Sequence, residues 1–135
     1  MITITDWSIR GIGMCFHRYG MTYYRGRLVV PVSGTYFLHS YLELFDRYPN
    51  HNIEGLGNSS MKHAMYRYRG SDGKDVQIVS KEQTHKLSSN GLFSYYGSYI
   101  AIQADLFAGD EISVKVSNLK LLKHSRENFF GVNLI

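Results

Sequence analysis

The chain has a single cysteine, Cys15, so it holds no internal disulfide, and its cysteine usage assigns no compartment. In a strand-forming stretch that thiol reads as a small buried side chain rather than a reactive one. No apolar run approaches the roughly 18 residues of a membrane span, and no secretory leader opens the sequence. An extracellular role would place the targeting segment upstream of these residues. Helical periodicity is scarce, and there is no internal repeat, low-complexity tract or linker, so residues 1–135 read as one domain. Charge is sparse too. Only 19% of residues are charged and the net charge is +4, well short of the dense basic run that a nucleic-acid surface requires. Ser, His and Asp occur without a nucleophile elbow, and the six histidines have no short ligand spacing. His17 lies near Cys15 with no further ligand type at hand. The chain therefore reads as a non-enzyme that needs no cofactor and no metal.

Aromatic residues are what the chain has in plenty: 14%, with eleven Tyr and seven Phe, a composition that favours strands and interfaces. Short alternating runs separated by Gly, Asn, Ser and Asp recur along the sequence, which predicts about eight to ten antiparallel strands and an all-β sandwich or jelly roll. Expected strands are Ile2–Trp7, Met14–Tyr19, Thr22–Tyr24, Met61–Tyr68, Val76–Ser80, Leu92–Leu106 with an irregularity at Gly97, the run through Ile112, Val114 and Val116, and a last strand carrying Phe130, Val132 and Leu134. Residues 46–60, 81–90 and 118–128 read as loops. An apolar chain end argues for a central strand, because unpaired ends fray.

The stretch Gly26–Phe45 organises the rest. A strand leads into a tight turn at Pro31–Gly34 and a long strand from Thr35 to Phe45. Alternation gives that strand one apolar face, Tyr36, Leu38, Ser40, Leu42 and Leu44, which suits a core. Its other face, Phe37, His39, Tyr41, Glu43 and Phe45, is neither watery nor plain core, and predicts cover by a second copy of the subunit.

Three motifs in order then resemble the tumour necrosis factor (TNF) homology domain: Gly26-x-Leu28-Val29-Val30-Pro31-x-x-Gly34-x-Tyr36-Phe37, Leu106-x-x-Gly109-Asp110-x-Ile112-x-Val114, and Phe129-Phe130-Gly131-Val132. The segment with Trp7, Arg10, Gly11, Ile12 and Gly13, together with Tyr66-x-Tyr68, Ser80 and Gly91-Leu92-Phe93-Ser94-x-Tyr96, falls at similar spacing, and within the family the apoptosis-inducing TRAIL type is most alike. The resemblance implies a jelly-roll homotrimer whose inner-sheet aromatics meet on a threefold axis, here Phe37, His39, Tyr41, Tyr99 and Phe129. It implies an extracellular cytokine, secreted or the ectodomain of a type II membrane protein anchored upstream, that clusters cysteine-rich receptors in signalling. The receptor-facing loop after Tyr68 would offer Arg67, Arg69, Ser71 and Lys74, with the basic run Lys120, Lys123, His124 and Arg126 on the same groove or another face.

Three features depart from the family pattern. Its first strand has a counterpart only in Ile2–Thr5, the loop-bridging cysteine pair is missing, and Ser71 stands where a receptor-contacting tyrosine is expected. The alternative family is the complement-type globular head, a trimeric module for protein or carbohydrate targets. His85 falls roughly where the TRAIL pattern has an axial zinc-binding cysteine, and reads here as a solvated loop residue. Tyr66-Arg67-Tyr68-Arg69 interleaves stacking and cationic side chains, which a strand with a basic outer face explains without nucleic acid. Asn58-Ser59-Ser60 is an N-glycosylation sequon in a polar loop.

Overall fold

The computed structural model describes residues 1–7, 14–16, 20–46, 58–86 and 94–135. They form ten strands: β1 (Ile2–Thr3), β2 (Met14–Phe16), β3 (Thr22–Tyr24), β4 (Arg27–Val29), β5 (Gly34–Asp46), β6 (Asn58–Arg69), β7 (Lys74–Lys86), β8 (Ser94–Leu106), β9 (Glu111–Val116) and β10 (Phe129–Leu134). One sheet has the order β3-β4-β9-β6-β7, with β1 on the same edge of β9 as β4; the other has the order β2-β10-β5-β8. Two sheets packed face to face make a jelly-roll sandwich. All pairings are antiparallel except β2 with β10, which run parallel.

Alternation along β5 sets the core. Tyr36, Leu38, Ser40, Leu42 and Leu44 are all buried, and they meet Leu28, Met61, Met65, Ile112, Val114 and Val116 of the opposite sheet. Ile100, Ile102 and Leu106 take the same side of β8, as their parity predicts. Trp7 closes one end, its indole N–H donating to the Ile4 carbonyl at 3.1 Å and its ring 5.4 Å from Phe130. The last strand is central, hydrogen-bonded to β5 on one edge and β2 on the other.

Several expectations are corrected. Residues 58–60 and 81–86 are strand rather than loop, so β6 and β7 form a long hairpin that outruns β9. Lys81, Glu82, Gln83 and Thr84 bury little, and their ladder hydrogen bonds, not side-chain alternation, make them strand. The first strand is only two residues long. Gly97 marks no irregularity, because β5 and β8 pair without a break; the register shift lies instead between Met65 and Tyr66. Gly97 is glycine because the Tyr41 ring covers it: a Cβ there would stand 2.5 Å from the Tyr41 hydroxyl. Asn118–Asn128 holds one turn of 3-10 helix, Leu119–Leu121, capped by the Asn118 side chain. The Gly11–Gly13 joint, residues 17–19, 47–57 and 87–93 lie outside the described residues.

Candidate functional site: an uncovered aromatic face and a clamped rim

The register puts the outward side chains of the four-stranded sheet into rows. Asn133, Phe37 and Gln103 form one row, Gly131, His39 and Ala101 the next, and Phe129, Tyr41 and Tyr99 the third. His39 stacks on Phe37 at 5.1 Å between ring centres and meets Phe129 at 5.4 Å; Phe129 stacks on Tyr41 at 5.9 Å and meets Tyr99 at 6.3 Å. The sheet therefore carries a continuous aromatic plate across β10, β5 and β8. It is not core: Phe37 is 37% exposed and Tyr99 48%. All five residues expected at a subunit interface stand on this one face. Below Tyr41 the face opens into a cavity of about 340 Å³ lined by Tyr41, Glu43, Leu44, Tyr96, Gly97 and Lys123, with the Lys123 and Glu43 charges 3.6 Å apart.

A model of the TNF (Tumour Necrosis Factor) family matches residues 5–135, nearly the whole chain. The chain belongs to that family. It is also 26% identical over 137 residues to a protein named "Tumor necrosis factor" from Sparus aurata, a match that covers 94% of this chain and 54% of the relative. The chain thus spans about half the length of the curated relative it matches. Family membership decides for the TNF form over the complement-type head, and the finer likeness to the TRAIL type rests on the motifs alone.

The hairpin turn between β6 and β7 does not carry the basic outer face expected from its alternation. Tyr66 and Tyr68 oppose Ser113 and Glu111 on the outside of the sheet, while Arg67 opposes the buried Ile112. The arginines therefore lie on the inward side, at the open end of the sandwich. Arg69 grips Asp110 with two hydrogen bonds, Nε to Oδ1 at 2.8 Å and Nη2 to Oδ2 at 2.7 Å, and its guanidinium lies 4.0 Å over the Phe107 ring. Asp110 is 1% exposed and also accepts from the Phe107 N–H at 2.8 Å. Burial alone would push the Asp110 carboxyl up, but the Arg69 hydrogen bond, the Phe107 amide and the charges of Arg69 and Arg67 outweigh it and leave it below the usual carboxylate value. This explains the Gly109-Asp110 motif. Gly109 supplies the positive φ of 91° that the turn requires, and Asp110 ties that turn to the β6–β7 hairpin. Arg67 pairs with Asp72 inside the turn at 3.2 Å, while Ser71, Gly73 and Lys74 stay exposed.

Between the sheets lies a group the sequence reading passed over. His63 of β6 is fully buried, with Nδ1 3.0 Å from the Ser98 hydroxyl and Nε2 3.0 Å from the Ser40 hydroxyl. One hydroxyl donates to the bare nitrogen and the other accepts from the N–H, so the two sheets are pinned through a neutral imidazole. Burial first, then the nearby Lys81 charge, lowers its pKa to about 3. Ser40 in an otherwise apolar run was the available signal. His85, expected in a loop, is in β7 opposite Ser59, and its side chain is not described. Among the described residues no group of three or more His, Cys, Asp or Glu could hold a metal. Asn58 begins β6, opposite Lys86, and its side chain likewise lies outside the description.

Proposed function

We propose that this protein is a TNF-like cytokine ectodomain that assembles as a homotrimer through the aromatic plate and clusters cysteine-rich cell-surface receptors from outside the cell. The single observation that carries this is a continuous aromatic face, Phe37, His39, Tyr41, Tyr99 and Phe129, with Phe37 and Tyr99 exposed, on a member of a cytokine family. Each aromatic pair made across the interface adds about 0.5–1.5 kcal/mol beyond the area it buries. The protein then acts by presenting identical surfaces in fixed geometry rather than by chemistry.

The receptor would lie against the rim formed by the turn between β6 and β7. The four residues of that rim divide by role. Arg67 and Arg69 hold the turn through Asp72 and Asp110, and Ser71 and Lys74 supply the free surface. With no aromatic anchor, the contact would be electrostatic, with an association rate that falls as salt rises. Sedimentation of the chain at micromolar concentration should give a mass three times that of the protomer, and a stable monomer would remove the reading. Lys74→Glu should leave folding and assembly intact and weaken a cognate receptor about tenfold. Arg69→Glu is the poorer probe, since it would disrupt the Asp110 clamp as well.

A further inference from the structure

His39 sits in the middle row of the plate, and the row is built around it. Its neighbours across the strands, Gly131 and Ala101, are the smallest in the plate. A Cβ on Gly131 would stand 2.6 Å from His39 Nε2, so only glycine lets the imidazole lie flat on β10. Phe37 stacks on one side of the ring and Phe129 tilts against the other. Asn133 Nδ2 is 3.0 Å from His39 Nε2 and donates to it, which leaves Nε2 bare and the proton on Nδ1.

The groups that face His39 are Phe37 and Tyr41 of its own strand, Phe129, Gly131 and Asn133 of β10, and Tyr99, Ala101 and Gln103 of β8. Among these described residues there is no carboxylate and no cation. The described acids on this face stand two rows away on either side: Glu43, beyond Tyr41 and 3.6 Å from Lys123, and Asp105, beyond Gln103 and accepting from the Thr35 hydroxyl at 2.6 Å. An imidazolium formed here would have no counter-ion among these described residues. Protonating Nε2 sets a donor against a donor, and even with the Asn133 amide turned over it leaves a charge among aromatic rings.

We propose that His39 makes assembly pH-sensitive: the trimer holds while the ring is neutral and comes apart when it is protonated. This rests on the trimeric reading above. The sign follows from linkage. Half-burial already lowers the His39 pKa from its usual value in the single chain, and a partner subunit covering the plate would lower it further. A group whose pKa is depressed by assembly supports assembly above its free-protomer pKa and withdraws that support as pH falls through it. Three subunits take up three protons on separation, so the dissociation constant of the trimer should rise by up to about a thousandfold per pH unit below the ordinary histidine range. The consequence is a ligand that stays assembled in neutral extracellular fluid and disassembles in an acidified endocytic compartment.

The test is sedimentation of the parent chain, His39→Leu and His39→Gln at pH 7.4 and 5.0, with Trp7 fluorescence reporting the fold at each pH. The expected result is a parent that is trimeric at pH 7.4 and a folded monomer at pH 5.0, with variants whose trimer dissociation constants, measured over a concentration series and whatever their values at pH 7.4, do not rise between pH 7.4 and 5.0. A parent that stays trimeric at pH 5.0 removes the switch and leaves the trimer standing. Variants that dissociate alongside the parent place the sensor at another group and overturn the proposal. A parent already monomeric at pH 7.4 removes the trimeric reading and the switch with it.

Discussion

The two sheets turn aromatic residues outward in opposite ways. On the outer face of the six-stranded sheet, Lys115 lies 4.5 Å over the Tyr66 ring and Arg27 lies 5.0 Å over Tyr68. Asp75 pairs with both cations and Glu111 pairs with Arg27, so two cations and two carboxylates close a ladder over the tyrosines. That face is covered by its own chain. On the four-stranded sheet the aromatic rings touch other rings and a histidine, and among the described contacts no charged side chain is laid over them. The same residue types thus serve two ends. Where cations and carboxylates alternate beside tyrosine, the rings are covered within the protomer; on the other face Phe37 and Tyr99 stay exposed, and that is the face proposed for assembly.

The sharpest way to break this comparison is to put a charge on each face. Tyr99→Asp would place an unpaired carboxylate in the covered interface, and should raise the trimer dissociation constant at least about a hundredfold while the protomer melts as before. An unchanged sedimentation profile would mean that the plate is not the interface.

The layer that holds the two faces back to back makes a second, smaller prediction. His63 is neutral when folded, with a pKa of about 3 against an ordinary value near 6.5 in the unfolded chain. In that window the unfolded state binds more protons, so its contribution is fully present above about pH 6.5 and is lost as pH falls toward 3, at up to about 1.4 kcal/mol per pH unit. The Asp110 carboxyl, held low by Arg69, loses its contribution only as pH falls below about 4, so the interval between about 4 and 6.5 is left to histidine. Urea denaturation across that interval should show the parent losing stability faster than His63→Gln. Parallel curves would show that the imidazole does not couple folding to protons.

The smallest effect is expected on the self-covered face. Lys115→Ala removes one cation over Tyr66 and one partner of Asp75, interactions each worth about 1 kcal/mol or less when partly exposed. The melting temperature should move by no more than about 5 °C and the assembly not at all. A loss of trimer in this variant would show that the ladder, too, faces a partner.

How much of this was legible in the sequence depends on whether a signal is local. The two faces of β5 are a one-dimensional pattern, and Tyr36–Leu44 fell into the core as their alternation requires. The central place of β10 was expected from its apolar end, yet only Phe129–Gly131 are paired on both edges and bury Phe130, whereas Leu134 and Ile135 at that end are exposed. The first three residues of β6 and the far half of β7 were not legible, because Lys81 and Glu82 look like loop residues and become strand only by pairing with His63 and Lys62. Arg67 and Arg69 show the limit most clearly. Alternation separates them from Tyr66 and Tyr68, but which pair turns inward depends on β9, and β9 buries Ile112 opposite Arg67.

By itself the sequence determined the class of fold, the core face of the organising strand and the aromatic character of its other face, because side-chain parity within a strand is fixed by the backbone. Only the tertiary structure decided which residues share that face and what state they are in. His39 meets an asparagine 94 residues away, Arg69 finds its carboxylate 41 residues on, and His63 finds one hydroxyl on each of two strands of the opposite sheet. Such partners are set by register between strands, and register depends on how the whole sandwich closes over its core rather than on any one stretch of chain.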